Sequence, residues 1–151
     1  MKGYSQTNKD IHIEYISFDV DFAIDKWPSV LKSVKNSRSE FDILMRKMND
    51  NGYFEVSIDS VYGDKGNLHA IVYVGSKYFL GRLISQTIPN EVFKKYFDDG
   101  GMDWGDFTDA KIEVRQYFQD SGYFNSQVYL DEITIEDNIV NASVEVDRGY
   151  L

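Results

Sequence analysis

The chain repeats one ordered set of sequence features twice. The segment "NDNGYFEVSIDS" (Asn49–Ser60) has a counterpart, "QDSGYFNSQVYL" (Gln119–Leu130), 70 positions further on. A second pair, "HAIVYVGSKY" (His69–Tyr78) and "NASVEVDRGY" (Asn141–Tyr150), aligns at an offset of 72. Self-similarity of this kind indicates duplicated structural units. The sequence therefore predicts two small related domains in a chain whose length would also fit one ordinary domain.

The second repeated pair has the pattern of a half-buried strand. Apolar residues alternate with others in both copies, a spacing that directs one set of side chains to a core. The turn-forming stretches "YGDKGN" (Tyr62–Asn67) and "IEDNI" (Ile135–Ile139) lie between this strand and the preceding extended segment. Each half is therefore predicted to end in a β-hairpin.

A helical pattern precedes each Gly-Tyr-Phe. In the first half the apolar residues recur at helical spacing: Phe41, Leu44, Met45 and Met48. In the second half a similar stripe follows Asp109, which we expect to cap the helix: Ile112, Val114, Tyr117 and Phe118. Gly52 and Gly122 then stand where a helix commonly ends in a left-handed residue.

Each half also contains one proline, Pro28 or Pro89, before a short stretch that we predict to be helical. The extended segments "IHIEYISFDVDFAID" and "YFLGRLISQTI" precede these prolines. The order strand, helix, helix, strand, strand predicts an α+β fold, in which each domain is a three-stranded sheet with two helices on one face. We place the first domain at 11–78 and the second at 79–151, after a disordered polar leader at 1–10.

Charge and composition exclude several classes of function. The formal net charge is −9, which argues against a nucleic-acid binder and against electrostatic docking on anionic lipid. The absence of cysteine excludes disulfides and thiolate metal sites. No run approaches the roughly 18–20 apolar residues that a membrane-spanning helix needs.

Some short motifs permit a chemical interpretation and a plainer structural one. His12 and His69 could form a base or ligand pair, but we expect them to be strand residues on an exposed or half-buried face. The stretch "DDGGMDWGDFTD" (Asp98–Asp109) is rich enough in carboxylates for Ca²⁺, yet it lacks the EF-hand spacing. We expect a solvated loop there, with Trp104 inserted in the core.

The aromatic pair that follows each glycine could be a strip for binding partners. The pairs are Tyr53–Phe54 and Tyr123–Phe124. Adjacent residues of an extended chain point in opposite directions, so we expect one ring of each pair to anchor the core.

This ordered set of features resembles tandem POTRA domains, the periplasmic arms of the Omp85 superfamily of outer-membrane assembly proteins. The resemblance rests on Gly-Tyr-Phe before the hairpin and on the exit stretch "IVYVGSKYFLGRL" of the first half, in which Gly75 directly follows Val-x-Val. In the second half Asp147 stands where the first has Gly75, although Gly149 lies nearby. The resemblance leaves open whether the arm is of the BamA or the TamA type. It also implies that a further arm domain or a barrel follows Leu151.

The resemblance implies a non-catalytic role without cofactor or metal. A POTRA-like arm would bind unfolded outer-membrane protein clients, or periplasmic partner subunits, by adding their extended segments to a sheet edge. In such domains the strand after Gly-Tyr-Phe is an outer one, so the expected edges are Glu55–Val61 and Gln127–Ile133. The candidate peptide-binding residues are Glu55, Val56, Ser57, Ile58, Asp59, Ser60, Val61, Gln127, Val128, Tyr129, Leu130, Asp131, Glu132 and Ile133.

Two other functions remain open at this point. The domain pair could be a structural spacer or scaffold that docks fixed partner subunits rather than clients. A weaker alternative is an enzyme or a metal-dependent adhesin, which calcium titration followed by tryptophan fluorescence would test.

Overall fold

The computed structural model describes residues 11–19, 31–97 and 101–149, with side chains throughout except at 31–34. The chain divides into two compact units. The first consists of Met1–Met48 and Tyr53–Gly75, and the second of Asn49–Gly52 and Ser76–Leu151. The predicted leader, Pro28 and the start of the Asp98–Asp109 stretch lie outside the described residues.

In the described part of the first unit one helix packs against a four-stranded sheet. Its elements are β1 (Ile11–Ser17), β2 (Leu31–Val34), α1 (Ser37–Asp50), β3 (Ser57–Asp64) and β4 (Asn67–Tyr73). The strand order is β2-β1-β4-β3, with β1 parallel to β4 and the other pairs antiparallel. Apolar residues of β1 and β4 alternate towards α1 and bury Ile13 and Val72 against Leu44 and Met48. The predicted stripe of α1 therefore forms the helical side of this core.

In the second unit two helices pack against a three-stranded sheet. Its elements are β5 (Phe79–Ile84), α2 (Asn90–Tyr96), α3 (Trp104–Asp120), β6 (Gln127–Glu136) and β7 (Ile139–Asp147). The strand order is β5-β7-β6, with β5 parallel and β6 antiparallel to β7. Alternate residues of the central strand enter the core: Val140, Ala142, Val144 and Val146. This unit has the predicted order of strands and helices, and the α+β class is confirmed.

The predicted order is wrong in one part of the first unit. The stretch after Pro28 was expected to be helical, but Leu31–Val34 forms β2 and pairs antiparallel with β1 from Ile11 to Glu14. So short a segment is a poor helix without packing partners, whereas pairing with β1 satisfies its backbone groups. The first sheet consequently has four strands instead of three.

The two Gly-Tyr-Phe motifs end α1 and α3 in the same way. Gly52 and Gly122 have φ of +89° and +96°, and the N–H of the tyrosine that follows donates to a carbonyl five residues back, on Met48 or Phe118. This left-handed helix end is the one predicted from the glycines, and it turns the chain towards the next strand.

Both hairpins close in two-residue turns with positive φ at both residues. The turns are Lys65-Gly66 and Asp137-Asn138, and they join β3 to β4 and β6 to β7. Such turns match the twist of the strands that they connect. The predicted hairpins are thus present in both units.

The Asp98–Asp109 stretch contains the start of α3 instead of being a loop throughout. Asp103 is the N-cap, and its carboxylate accepts a hydrogen bond of 2.8 Å from the N–H of Asp106. Asp109, the predicted cap, lies inside the helix because the core stripe begins earlier, with Trp104 and Phe107. Trp104 is buried, as expected. None of the helices in the described part of the chain has the length and apolar character needed to cross a membrane.

Candidate functional site: the outer strands

The strands that follow the Gly-Tyr-Phe motifs are outer strands in both sheets. Among the described residues β3 pairs only with β4 and β6 only with β7, in the strand orders β2-β1-β4-β3 and β5-β7-β6. An outer strand directs half of its backbone N–H and C=O groups away from the sheet, where another chain can pair with them. The candidate residues therefore lie at sheet edges.

The limits of these edges differ from the predicted ones. Glu55 and Val56 precede β3, and Val56 is buried in the first core. The first edge consequently runs from Ser57 to Asp64 and continues three residues past Val61. The second begins at Gln127, as predicted, and ends at Glu136, three residues beyond the predicted end. The predicted start of the first edge thus lies in the turn after Gly52, whereas the second edge starts after the corresponding turn.

A β-bulge interrupts each of the two edges. In β3 the register shifts between Ile58 and Ser60, which leaves Asp59 as the extra residue. In β6 it shifts between Asp131 and Thr134, where Glu132 adopts a φ of +48°. Bulges and edge carboxylates both limit pairing with other sheets. The regular part of each edge is therefore a short stretch on either side of its bulge.

The outer strands expose large apolar side chains. Val61 and Tyr62 on β3 are 43% and 50% exposed, and Tyr129 on β6 is 44% exposed. Ile133 in the bulge of β6 and Ile135 beyond it are also more than half exposed. An extended segment that paired with either strand would therefore lie beside exposed apolar side chains.

The edge of β6 also borders a groove against α3. The groove holds about 330 Å³ and is lined by Thr108, Lys111, Ile112, Arg115, Gln127 and Val128. Ile112 was predicted to face the core but is 54% exposed, because the buried stripe of α3 runs through Val114 and Phe118 on another side of the helix. Lys111 and Arg115 give the groove a positive character in a chain of net charge −9. Sequence alone did not indicate this groove, which depends on which face of α3 is buried.

The aromatic pairs divide between core and surface. Tyr53 and Tyr123 pack against the cores of their units, while Phe54 and Phe124 are 46% and 74% exposed. Burial raises the pKa of Tyr53. One ring of each pair thus anchors the core, as predicted.

A carboxylate fixes the C-terminal part of β7 in the second unit. The backbone N–H groups of Gln86 and Thr87 donate to Glu145, and the hydroxyls of Thr87 and Ser143 donate to it as well. Burial acts to raise the pKa of Glu145, but these hydrogen bonds outweigh it and hold the pKa below its ordinary value. The hydroxyl of Thr87 also accepts from the N–H of Val146 at 2.7 Å. The loop after β5 is thereby tied to the central strand.

The first unit has an equivalent link, but its carboxylate lies on the segment after β1, whereas in the second unit the carboxylate lies on the central strand. The N–H groups of Val74 and Gly75 donate to the carboxylate of Asp19, after β1, at 3.0 and 2.8 Å. Desolvation acts to raise the pKa of Asp19, and the hydrogen bonds from Val74 and Gly75 lower it below its ordinary value. Val74 and Val146 are repeat-equivalent, so both central strands are held at the same point.

A row of polar side chains crosses the first sheet from β1 to β3. Nδ1 of His69 lies 2.7 Å from Oε2 of Glu14, and the ring of Tyr62 stacks on the imidazole at 4.8 Å between centroids. The strand register places the three side by side, and cross-strand contacts of this kind stabilise sheets. His12 is exposed on β1. Within the described residues no group of three or more histidine, aspartate and glutamate side chains could hold a metal ion.

Comparison with known proteins supports the fold. No protein-family model matches the sequence, and no curated protein matches it. The structure of POTRA domains 3–5 of BamA from Haemophilus influenzae is similar to 94% of this chain, with a TM-score of 0.59 and 13% identity. BamA from Haemophilus ducreyi lacking POTRA domains 1–3 is similar to 91% of it, with a TM-score of 0.55 and 11% identity. The chain has the fold of tandem POTRA domains and spans 66% and 29% of those two chains.

Proposed function

We propose that this chain is part of a non-catalytic periplasmic arm of an outer-membrane protein assembly or translocation machine. In this proposal the arm binds extended segments of client or partner proteins by β-augmentation at β3 and β6. The observation that carries the proposal is the outer position of both strands in a fold shared with the POTRA domains of BamA.

β-Augmentation suits a receptor for many unfolded segments. Main-chain hydrogen bonds form with any sequence that can extend, so they supply affinity without strict sequence selection. The exposed apolar side chains of the edge strands then add a preference for segments that contain apolar residues.

β6 is the stronger of the two candidate edges. It exposes three large apolar side chains, Tyr129, Ile133 and Ile135, and it borders the groove against α3, whereas β3 exposes Val61 and Tyr62. A segment paired with β6 could place side chains over Ile112 while its backbone bonds to the strand. We therefore expect tighter binding at β6 than at β3.

Site-specific photocrosslinking tests the proposal with matched positions. Tyr62, Tyr129 and Tyr117 are all exposed tyrosines, but Tyr117 lies on α3 away from the edge groove. Each is replaced in turn by a benzoyl-phenylalanine crosslinker, and the protein is mixed with a purified outer-membrane barrel precursor diluted from urea. We expect crosslinks from position 129, fewer from 62 and few from 117. A proline substitution at Val128 would also block pairing at this edge, but Val128 packs against the core, so loss of binding could then result from a disturbed fold. Crosslinkers at exposed tyrosines avoid this ambiguity.

The same variants separate clients from fixed partners. If the arm is instead a spacer or scaffold, the unfolded precursor will not crosslink above the level of position 117, while the edge positions will trap folded periplasmic subunits in cells. Equal crosslinking of the precursor at all three positions would contradict an edge-binding mechanism.

A further inference from the structure

The two sheets differ at the edge opposite β3 and β6. β1 and β5 are equivalent, since each pairs parallel with its central strand, with Tyr15 opposite Ala70 and Leu83 opposite Ala142. The outer side of β1 is occupied by β2, whereas β5 ends the second sheet within the described residues. One repeat thus shows this edge paired with an extended segment, and the other shows it open.

β2 shows what this edge accepts in the first unit. The four residues Leu31–Val34 pair antiparallel with Ile11–Glu14. The segment "LKSV" has one apolar residue at each end and two polar residues between them. A short extended segment without an unusual composition can therefore pair with this edge, because the hydrogen bonds are made by its backbone.

A groove lies beside the open edge of β5. It holds about 620 Å³ between β5 and α2 and is lined by Arg82, Leu83, Ile84, Ser85, Asn90, Phe93 and Lys94. Ile84 is 41% exposed and Phe93 is half-buried, so both offer apolar surface. A bulge between Leu80 and Leu83 shortens the regular edge, and the groove must therefore supply much of the contact.

The groove is positively charged in an acidic chain. Arg82 and Lys94 both line it and are exposed, and among the described residues neither forms an ion pair. The chain as a whole carries −9, which disfavours a second copy as the occupant. Two free cations beside apolar surface instead favour a segment that contains both acidic and apolar residues. Arg82 and Ile84 lie on the face of β5 opposite buried Leu83, whereas Phe93 and Lys94 belong to α2, so the segment needs both kinds of residue on each of its two faces.

We propose that the outer edge of β5, with the groove against α2, is a further binding site for an extended acidic segment of a partner protein. The segment adds antiparallel to β5, as β2 does to β1. Its apolar side chains lie over Ile84 and Phe93, and its carboxylates pair with Arg82 and Lys94. This site is separate from β3 and β6 and does not depend on their role.

Two synthetic peptides test the proposal by NMR. Blocked eight-residue peptides with the repeat Val-Val-Glu-Glu or Val-Val-Lys-Lys, which place both residue types on each face of an extended strand, are titrated into the isotope-labelled full chain. We expect the glutamate peptide to shift amide resonances of Phe79–Ile84 and Asn90–Tyr96 and to slow amide exchange in β5. The lysine peptide should bind there about three- to tenfold more weakly, as two exposed ion pairs allow.

Charge reversal provides the matched variants. Arg82→Glu/Lys94→Glu should reverse the preference between the peptides, while the same change at Lys111 and Arg115, in the β6–α3 groove, should leave it intact at β5. Arg82→Gln/Lys94→Gln, which should abolish the preference, serves if the reversed variant does not fold. The proposal is overturned if neither peptide binds, if the shifts occur only in β3 and β6, or if the reversed variant keeps its preference. Loss of the β5 response with crosslinking retained at position 129 would reject this site alone.

Discussion

Glu145 is a nearly buried carboxylate whose charge is stabilised by its neighbours. Backbone and hydroxyl donors from Gln86, Thr87 and Ser143 surround it. A carboxylate can accept several such bonds, whereas an amide in its place offers one acceptor oxygen and two donors. The stability of the second unit should therefore depend on the ionised form of this side chain.

We expect Glu145→Gln to destabilise the second unit by about 1–3 kcal/mol at pH 7, the usual cost of breaking hydrogen bonds to a charged group. The folded-state pKa of Glu145 is lowered, so its contribution is present above the unfolded pKa of about 4.3 and is lost as the pH falls through the folded value. The difference in unfolding free energy between wild type and variant should narrow below about pH 4. Urea unfolding at several pH values measures this.

Glu136→Gln is the matched control for that measurement. Glu136 is exposed at the end of β6, and its replacement should change the free energy of unfolding by less than about 0.5 kcal/mol at each of these pH values. A Glu145 variant as stable as the Glu136 variant at pH 7 would show that the hydrogen bonds do not stabilise the unit.

Gly75 and Gly149 occupy equivalent places in the two units, although the sequence alignment pairs Gly75 with Asp147. Their φ values are +74° and +64°, and an added Cβ would lie 2.6 Å from Cβ of Glu55 or 3.0 Å from that of Asn125. Glu55 and Asn125 both come directly after Gly-Tyr-Phe. The counterpart of Gly75 is thus Gly149 rather than Asp147, because β7 is two residues longer than β4. The contacts with Glu55 and Asn125 therefore identify the equivalent glycines, whereas their spacing in the sequence does not.

At the scale of the element, the start of α3 depends on which residue caps it. Asp103 accepts from the N–H of Asp106, while Asp109 is exposed within the helix. We expect Asp103→Ala to destabilise the second unit by about 1 kcal/mol, the typical value of an N-cap. Asp109→Ala should change stability by less than about 0.5 kcal/mol, since alanine also favours the helix interior. Thermal or urea unfolding of the two variants compares them directly.

The reverse order of effects would mean that α3 begins near Asp109, as the sequence pattern had indicated. That pattern was misleading because Trp104 and Phe107 extend the apolar stripe by almost two turns, in a stretch whose glycines and aspartates are typical of a loop. Packing of the two rings against the second core outweighs these local preferences.

The elements of the fold were predictable to different degrees. The hairpins, the glycine helix ends and the stripe of α1 follow from local patterns, and the structure has all of them. β2 was not predictable, because its pairing with β1 depends on residues far apart in sequence. The outer position of β3 and β6 came from the resemblance to POTRA domains. The grooves beside β5 and β6 and the Glu14–His69 contact depend on register and helix rotation, which local patterns do not specify.

At the scale of the whole molecule, the buried apolar residues that the structure describes form two separate cores. One includes Ile13, Leu44 and Val72, and the other includes Leu83 and Val144. Neither cluster shares a buried residue with the other. Because burial of apolar surface is the main stabilising contribution to folding, each unit should have its own stability.

Leu44→Ala and Leu83→Ala form a matched pair for this prediction. Both leucines are buried, at 6% and 8% exposure, and each truncation should cost its own unit about 2–5 kcal/mol. Native-state amide exchange should accelerate in β1, β3 and β4 for the first variant and in β5, β6 and β7 for the second. Equal acceleration in both sheets from either variant would instead show that the chain unfolds as one cooperative unit. If the two units are independently stable, a segment bound at β6 should slow amide exchange in the second sheet and leave the exchange rates of the first sheet unchanged.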